Sequence, residues 1–117
     1  MPGDQDGSMA AAQARLQAGE ELDAADLEDL LLFAQDGFGT RTLGLRWDRI
    51  SLASVRAHLE IDERHRQPYG IVHGGVWCAV VESLASVAAA LQVAASGRFV
   101  VGVSNSTDFL RPHRQGR

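Results

Sequence analysis

A 25-residue apolar segment, residues 71–95, constrains the fold of this 117-residue chain more than any other feature. Its only carboxylate is Glu82, and most other positions are Val, Ala, Leu, Ile or small polar residues. After Gly74-Gly75, apolar residues recur at the three- and four-residue spacing of a helix, and the opposite side is also apolar or small. The pattern predicts a long helix, buried on all sides and closed at Ser96-Gly97.

The polarity of the flanking segments predicts strands and a loop. Residues 53–61 alternate apolar with polar side chains, which is typical of a half-buried strand. Residues 98–110 carry apolar groups around a polar stretch and predict one long strand, whereas residues 62–70, with charges, Pro68 and Gly70, predict a loop. Together with the long helix, these segments predict an α+β domain in which an antiparallel sheet covers one central helix.

The N-terminal third of the chain is acidic. Residues 1–36 hold nine acidic residues against Arg15 alone, and all eleven basic residues of the chain are arginines. A net-acidic chain without a basic run argues against nucleic-acid binding. Because residues 1–19 show no period, we expect residues 1–22 to form a flexible or loosely helical tail on a single domain of residues 23–117.

A short helix is predicted at the start of this domain. Asp23 or Ala24 can cap its N-terminus, and the acidic residues that follow suit the positive end of the helix dipole. Gly37 and Gly39 are expected to end it. Its apolar face consists of three leucines and one alanine, at Leu27, Leu30, Leu31 and Ala34.

Several protein classes are disfavoured by the sequence. The N-terminus has neither the basic nor the apolar region of a signal peptide, and the longest uncharged stretch of the central segment, residues 83–96, is too short to cross a bilayer. The one cysteine, Cys78, cannot form an internal disulfide and is expected to be a small buried residue. We therefore expect a cytoplasmic protein without a membrane segment. The sequence offers no metal-ligand cluster, phosphate loop or nucleotide fingerprint, so no metal or cofactor is expected.

Glu82 is the first candidate for chemistry. A lone carboxylate in an apolar helix is costly unless it is paired, neutralised or used. Either Glu82 emerges at a solvent gap or pairs with one of the downstream arginines, or its burial perturbs its pKa for a functional role. Ser86 lies four residues later on the same helix face. Its hydroxyl can orient the carboxylate or a water, or it can bond to a main-chain carbonyl of its own helix.

The second candidate is the His73-Gly74-Gly75 turn at the start of the helix. Unpaired N–H groups at a helix N-terminus bind anions, and two glycines let a ligand approach the backbone closely. This arrangement suits a carbonyl oxygen that becomes negative during acyl transfer. The alternative is a plain glycine-rich turn between a strand and a helix.

These residues resemble the hotdog-fold acyl-CoA thioesterases, most closely the phenylacetate-degradation (PaaI-type) and 4-hydroxybenzoyl-CoA types. The shared pattern is a His-Gly-Gly that enters the central helix, an acid nine residues after His73, and a Phe-Leu-Arg-Pro strand end at residues 109–112 before Gly116. The resemblance covers roughly residues 38–117 and implies an antiparallel sheet wrapped around a long central helix. That family's domain continues for about two more strands, so we expect the last strands to be missing or the sheet edge to be covered in another way.

The resemblance also implies an activity and roles for residues. The expected activity is hydrolysis of a small or aromatic acyl-CoA to the free acid and coenzyme A. Glu82 matches the catalytic carboxylate, a nucleophile or general base, and Gly74 matches the residue whose N–H polarises the thioester carbonyl. Gln67 matches a polar side chain near that carbonyl, and Ser86 a hydroxyl that handles water or substrate. The residues expected to contact substrate are His73, Gly75, Asn105 and Arg111.

The spacing of Gly74 and Glu82 predicts an oligomer. Eight residues correspond to about 12 Å along a helix axis, whereas one carbonyl needs its oxyanion donor at about 3 Å and its nucleophile within reach. A glutamate side chain closes only part of that gap. The two groups fit one substrate if they come from facing subunits, which matches the interfacial sites of the family. We therefore expect a homodimer or homotetramer.

Two alternative functions remain on the same scaffold. A non-catalytic acyl-CoA-binding or assembly protein would keep the groove and the dimer without turnover. A hotdog-type hydratase is a weaker alternative, because such enzymes usually pair an Asp with a His, and the helix carries no histidine three to five residues after Glu82.

Overall fold

The computed structural model describes residues 2–30 and 37–117. The chain forms three helices and three strands within these ranges, joined by short helical turns. The turns are a π-helical turn at Phe38–Thr42 and 3-10 turns at Glu63–His65 and Ala94–Ser96. The regular elements are α1 (Pro2–Gln17), β1 (Leu22–Asp23), α2 (Ala24–Leu30), β2 (Arg46–Ile50), β3 (Val55–His58) and α3 (Gly74–Val93).

The three strands form one antiparallel sheet in the order β1-β2-β3. Trp47 of β2 lies opposite Ala57 of β3, and the register shifts between Trp47 and Arg49. The β2–β3 turn is closed by Ser51, whose hydroxyl oxygen accepts hydrogen bonds from the N–H groups of Ala53 and Ser54. The predicted α+β class, with an antiparallel sheet against a long helix, is confirmed.

One face of α3 packs on the sheet. Val76 is buried, and Val80, Leu84, Val87 and Leu91 pack against the core at the predicted three- and four-residue spacing. Near the other end of the helix, the Gln92 side chain donates a 2.7 Å hydrogen bond to the Leu52 carbonyl in the β2–β3 turn. The buried core side chains are Ala12, Leu16, Leu22, Leu27, Leu43, Leu45, Trp47, Ile50, Leu59, Val72 and Val76.

The predicted length of α3 is confirmed, but its predicted burial on all sides is wrong for the described chain. The helix runs Gly74–Val93, and after the following 3-10 turn Gly97 adopts φ +70°, a left-handed cap. The three-stranded sheet covers only one side, so Val81, at 47% exposure, and Glu82 face solvent. By length and composition alone, residues 74–96 would suffice to span a membrane, a test that the core helix of a soluble domain also passes.

The N-terminal segment, predicted as a flexible or loosely helical tail, is helical over most of its length and packs on the domain. Pro2–Gln17 is a regular helix, and Ala12 and Leu16, four residues apart, are buried in the core. Ala, Gln, Arg and Leu favour helix, and this one apolar face gives the segment a reason to dock. Asp23 caps α2 as predicted, because its carboxylate accepts from the N–H of Asp26. Leu31 and Ala34 of the predicted apolar face of α2 lie outside the described residues, whereas the predicted end, Gly37 and Gly39, lies at the start of the π-helical turn Phe38–Thr42.

The strand predicted at residues 98–110 is not formed. A strand needs a hydrogen-bonded neighbour, and no described segment pairs with these residues in a ladder. The segment instead passes along α3 in the opposite direction, with Gly102 beside Glu82 and Phe109 beside Gly74. Its apolar side chains therefore stay exposed, Phe99 at 87% and Val103 at 95%.

Candidate active site

A tight hairpin leads the chain into the N-terminus of α3. The His73 N–H donates to the His65 carbonyl at 2.8 Å, and the Gln67 N–H donates to the Ile71 carbonyl at 2.8 Å. Between them, Arg66 and Val72 form an antiparallel bridge. The loop predicted at residues 62–70 is thus ordered by backbone hydrogen bonds that bring Gln67 close to the start of the helix.

His73 shapes the first turn of α3. It is the N-cap, with φ −62° and ψ 133°, and its Nδ1 accepts a 2.8 Å hydrogen bond from the Gly75 N–H. The Gly75 N–H is therefore engaged by the protein itself. By contrast, no described residue accepts the Gly74 N–H. An unpaired N–H at the positive end of a 20-residue helix is a donor for a carbonyl oxygen that gains negative charge.

Phe109 forms a wall beside that donor. A Cβ built on Gly74 would lie 2.7 Å from Cε2 and Cζ of the Phe109 ring. The ring thus approaches the helix backbone more closely than any other residue type at position 74 would allow. Glycine at position 74 is therefore required for this contact.

Gln67 presents an amide with a fixed orientation. Its Oε1 accepts a short hydrogen bond from the backbone N–H of Tyr69. Because the oxygen is used in this way, the amide NH₂ is the group left to donate, and no described residue accepts from it. Gln67 can therefore supply a second donor near the start of α3.

Glu82 and Ser86 form a pair on the open face of α3. The Ser86 hydroxyl donates to Glu82 Oε1 at 3.2 Å, so it bonds to the carboxylate rather than to the main chain. Glu82 is exposed, and no arginine of the described part of the chain pairs with it. Of the alternatives left open by the sequence, the single chain shows a carboxylate that faces solvent, held by a neighbouring hydroxyl.

Asn105 and Arg111 differ in their surroundings. The Asn105 amide donates to the Cys78 carbonyl of α3 at 2.9 Å, and its oxygen accepts from the Thr107 hydroxyl at 2.7 Å. Asn105 thus anchors the segment after α3 to the helix, one turn before Glu82. Arg111 is exposed and makes no ion pair with the described residues. Contact of either residue with substrate stays a prediction.

His65 was missed by the sequence argument and is fully buried. Its Nδ1 accepts from the Asp62 N–H at 2.9 Å, and its Nε2 donates to the Leu43 carbonyl at 2.7 Å. Its own carbonyl receives the His73 N–H, so His65 fixes the turn that presents Gly74. The sequence signal for His65 is a capping box, in which Asp62 caps the 3-10 turn and the side chain three residues later, His65, accepts from the backbone N–H of Asp62.

No cluster of three or more His, Cys, Asp or Glu residues in the described part of the chain could hold a metal ion. The groups that the structure does bring to α3 are a free N–H, an amide donor, a carboxylate and a hydroxyl. These are the groups that polarise a carbonyl and activate a nucleophile in acyl transfer.

Comparison with known proteins gives consistent matches. Residues 69–117 match the family model described as thioesterase superfamily. A Mycobacterium tuberculosis protein named as an esterase is 43% identical over 76 residues, 63% of this chain and 54% of that relative. A Pseudomonas aeruginosa protein named as an esterase is 36% identical over 92 residues, 79% of this chain and 63% of the relative. The 1,4-dihydroxy-2-naphthoyl-CoA hydrolase of Escherichia coli is 33% identical over 75 residues, 64% of this chain and 54% of the relative.

The chain spans between 54% and 63% of the length of these three relatives. The family match includes the His73 turn, Glu82 and Ser86, and the structure shows a long helix packed on an antiparallel sheet. The general resemblance predicted from the sequence is therefore confirmed. Residues 69–117 therefore resemble a domain of the thioesterase superfamily, and the helix packed on an antiparallel sheet agrees with the hotdog fold of that superfamily.

Proposed function

We propose that the protein is an acyl-CoA thioesterase that works through the N-terminus and the open face of α3. The observation that carries the proposal is a free Gly74 N–H and a Ser86-bound Glu82 carboxylate on one helix. The names of relatives support it, since they include esterases and a hydrolase of an aromatic acyl-CoA.

In the proposed reaction the thioester oxygen accepts hydrogen bonds from the Gly74 N–H and the Gln67 amide. These donors stabilise the negative charge that develops on the oxygen when the carbonyl carbon is attacked. Glu82 either attacks that carbon itself or takes a proton from an attacking water, and Ser86 orients the carboxylate. When water attacks, the carbon–sulfur bond breaks, the coenzyme A thiolate takes up the proton that Glu82 accepted, and the acyl group leaves as the free acid. When Glu82 attacks, the same bond breaks, the thiolate takes up a proton from water, and the acyl group stays on Glu82 as a mixed anhydride. A second water then hydrolyses the anhydride to the free acid and restores the carboxylate.

We propose a homodimer as the minimum active unit. Gly74 and Glu82 lie on the same straight element, about 12 Å apart along its axis, which one carbonyl cannot bridge within a single subunit. The open face of α3 and the segment after it also leave apolar side chains exposed, among them Val81 and Val101 at 75% exposure. A second copy would cover this surface and bring its own Glu82 to the first copy's Gly74.

An aromatic acyl group is the proposed substrate class. The Phe109 ring lies against Gly74, and Tyr69, at 86% exposure, follows the Gln67 amide by two residues. Both rings are placed to contact a flat acyl group bound at the two donors. The Escherichia coli relative is named for a naphthoyl-CoA substrate, which supports the same class. Within this substrate class, we propose more specifically that the chain is a thioesterase of the phenylacetate-degradation type.

Release of free thiol from a panel of aromatic and short aliphatic acyl-CoA esters tests the proposal. We expect Glu82→Gln to lower kcat by at least about 10³-fold, because the amide can neither attack nor accept a proton at neutral pH. Glu60→Gln is the matched control, since it makes the same change in an exposed ion pair with Arg117 and should leave the rate unchanged. Unaltered turnover in Glu82→Gln would refute the mechanism. Tight binding of the esters without thiol release by the wild type would favour the acyl-CoA-binding alternative.

Mixing two inactive variants tests the shared site. Gln67→Ala damages the carbonyl side and Glu82→Gln the carboxylate side. If each site combines the two sides from different subunits, randomly exchanged dimers regain about a quarter of wild-type activity. No recovery after verified subunit exchange would place both groups in one subunit and overturn the dimeric site.

A further inference from the structure

Gly102 lies directly against the carboxylate of Glu82. A Cβ built on Gly102 would overlap Glu82 Oε1 and would lie 3.0 Å from Cδ and 3.3 Å from Oε2. All three atoms of the carboxylate therefore border the space that a side chain at position 102 would fill. The carboxylate in its present position and a side chain at 102 exclude each other.

Backbone conformation does not explain this glycine. Five glycines in the described chain adopt positive φ, where other residues are strained: Gly19, Gly44, Gly70, Gly97 and Gly116. Gly102 is not among them, so its backbone would accept alanine without strain. The close approach of the Glu82 carboxylate is the remaining structural reason for glycine at this position.

The segment that carries Gly102 is fixed to α3 at two further points. Asn105 donates to the Cys78 carbonyl, one helical turn before Glu82, and the Phe109 ring packs on Gly74. Ser86 donates to the same Oε1 that Gly102 faces. The exposed Glu82 carboxylate thus lies beside both the hydroxyl of its own helix and the backbone of the anchored segment.

We propose that Gly102 is a positioning residue, which sets the place of the Glu82 carboxylate by leaving the space that the carboxylate occupies. The inference rests on the proposed role of Glu82 and adds a determinant outside the helix. Because a glutamate head group is the mobile end of an exposed side chain, a methyl group at 102 would displace it at little cost to folding. A displacement of about 1 Å in a reacting group can lower a rate about 100-fold.

Gly102→Ala in the full chain, compared with Ser106→Ala as a control on the same segment, tests this role. We expect kcat for the best acyl-CoA ester to fall by at least about 10-fold with little change in KM and in the unfolding midpoint. The control should resemble the wild type. A wild-type kcat in Gly102→Ala, while Glu82→Gln is inactive, would overturn the inference and leave the proposed function intact.

Shortening the acid provides a second, non-additive readout. In Glu82→Asp the carboxylate withdraws by one methylene, so it no longer meets a Cβ at 102. We expect Gly102→Ala to lower kcat far less in the Glu82→Asp background than in the wild type. Additive losses would show that Gly102 acts through something other than the carboxylate.

Thermal unfolding separates a collision from a general folding defect without relying on activity. Any loss of stability in Gly102→Ala should disappear in a Glu82→Ala background, where no carboxylate remains to be displaced. Equal destabilisation in both backgrounds would overturn the inference, whatever the activity assay shows.

Discussion

Replacement of His65 should reveal how strongly one buried side chain holds the turn that presents Gly74. His65 is fully buried. Its Nδ1 accepts a 2.9 Å hydrogen bond from the Asp62 N–H, and its Nε2 donates a 2.7 Å hydrogen bond to the Leu43 carbonyl. His65→Ala removes both bonds and leaves a cavity. The Leu43 carbonyl lies in the buried core and loses its partner, whereas Asp62 is exposed and can turn to water.

The expected loss of folding free energy follows from the unpaired Leu43 carbonyl and from the cavity that the ring leaves. An unsatisfied buried carbonyl costs about 1–3 kcal/mol, and truncation of a buried ring to alanine costs about 3–5 kcal/mol when packing and cavity are included. Because the terms overlap, we expect His65→Ala to lower the free energy of unfolding by about 4 kcal/mol. That is a large part of the stability of a domain of this size.

Two partial replacements provide matched controls. Glutamine can place an amide N–H where Nε2 lies and keep the bond to Leu43, whereas asparagine can place an oxygen where Nδ1 lies and keep only the bond from Asp62. We therefore expect the order wild type, Gln, Asn, Ala in urea unfolding. A His65→Ala variant within about 1 kcal/mol of the wild type, or an Asn variant more stable than the Gln variant, would refute the reasoning.

Two further predictions concern the helix termini. Arg15 hydrogen-bonds to Asp26 at 2.9 Å and holds the pKa of that carboxyl below its usual value. Asp26→Asn should therefore lower the unfolding midpoint at neutral pH. The difference from the wild type should vanish as the pH falls through the lowered pKa, because Asp26 is then protonated. A difference that persists in acid would contradict this prediction. Gly74→Ala should lower both Tm and kcat because the added Cβ meets the Phe109 ring, and a Phe109→Ala background should restore the Tm. Calorimetry measures the Tm and thiol release measures kcat. A loss of Tm that is unchanged in the Phe109→Ala background would argue against the contact.

The parts of the fold that the sequence predicted well have a local cause. The long helix followed from apolar spacing, and its cap at Gly97 from glycine's tolerance of positive φ. The strand Val55–His58 followed from alternating polarity. The strand predicted at residues 98–110 is not formed, because a pattern of apolar residues does not itself provide a hydrogen-bonding neighbour. No described segment pairs with these residues in a ladder.

The residues of the candidate site also divide into those that local sequence spacing predicts and those that only the fold brings together. His73 as a cap, Glu82 with Ser86 and the Gly74 N–H all lie within one helix, so fixed helical spacing predicts their relations. Gly102 could not be found in this way, because glycine in a sequence gives no sign of what fills the space that its side chain leaves. Asn105 was singled out for substrate contact, which stays a prediction, and its role in anchoring its segment to the helix emerges only from the structure.

The sequence by itself determined the long apolar helix, the start of the short helix at Asp23, the glycine-rich turn that precedes the long helix, and the carboxylate that stands alone in that helix. Only the tertiary structure decided which distant residues meet: His65 with Leu43, 22 positions away, and Asn105 with the Cys78 carbonyl, 27 positions away. The physical reason is that local spacing fixes neighbours along a helix or strand, whereas contacts across the fold depend on how whole elements close over one another. The position of the Glu82 carboxylate depends on both, since its helix sets its direction and Gly102 bounds its place.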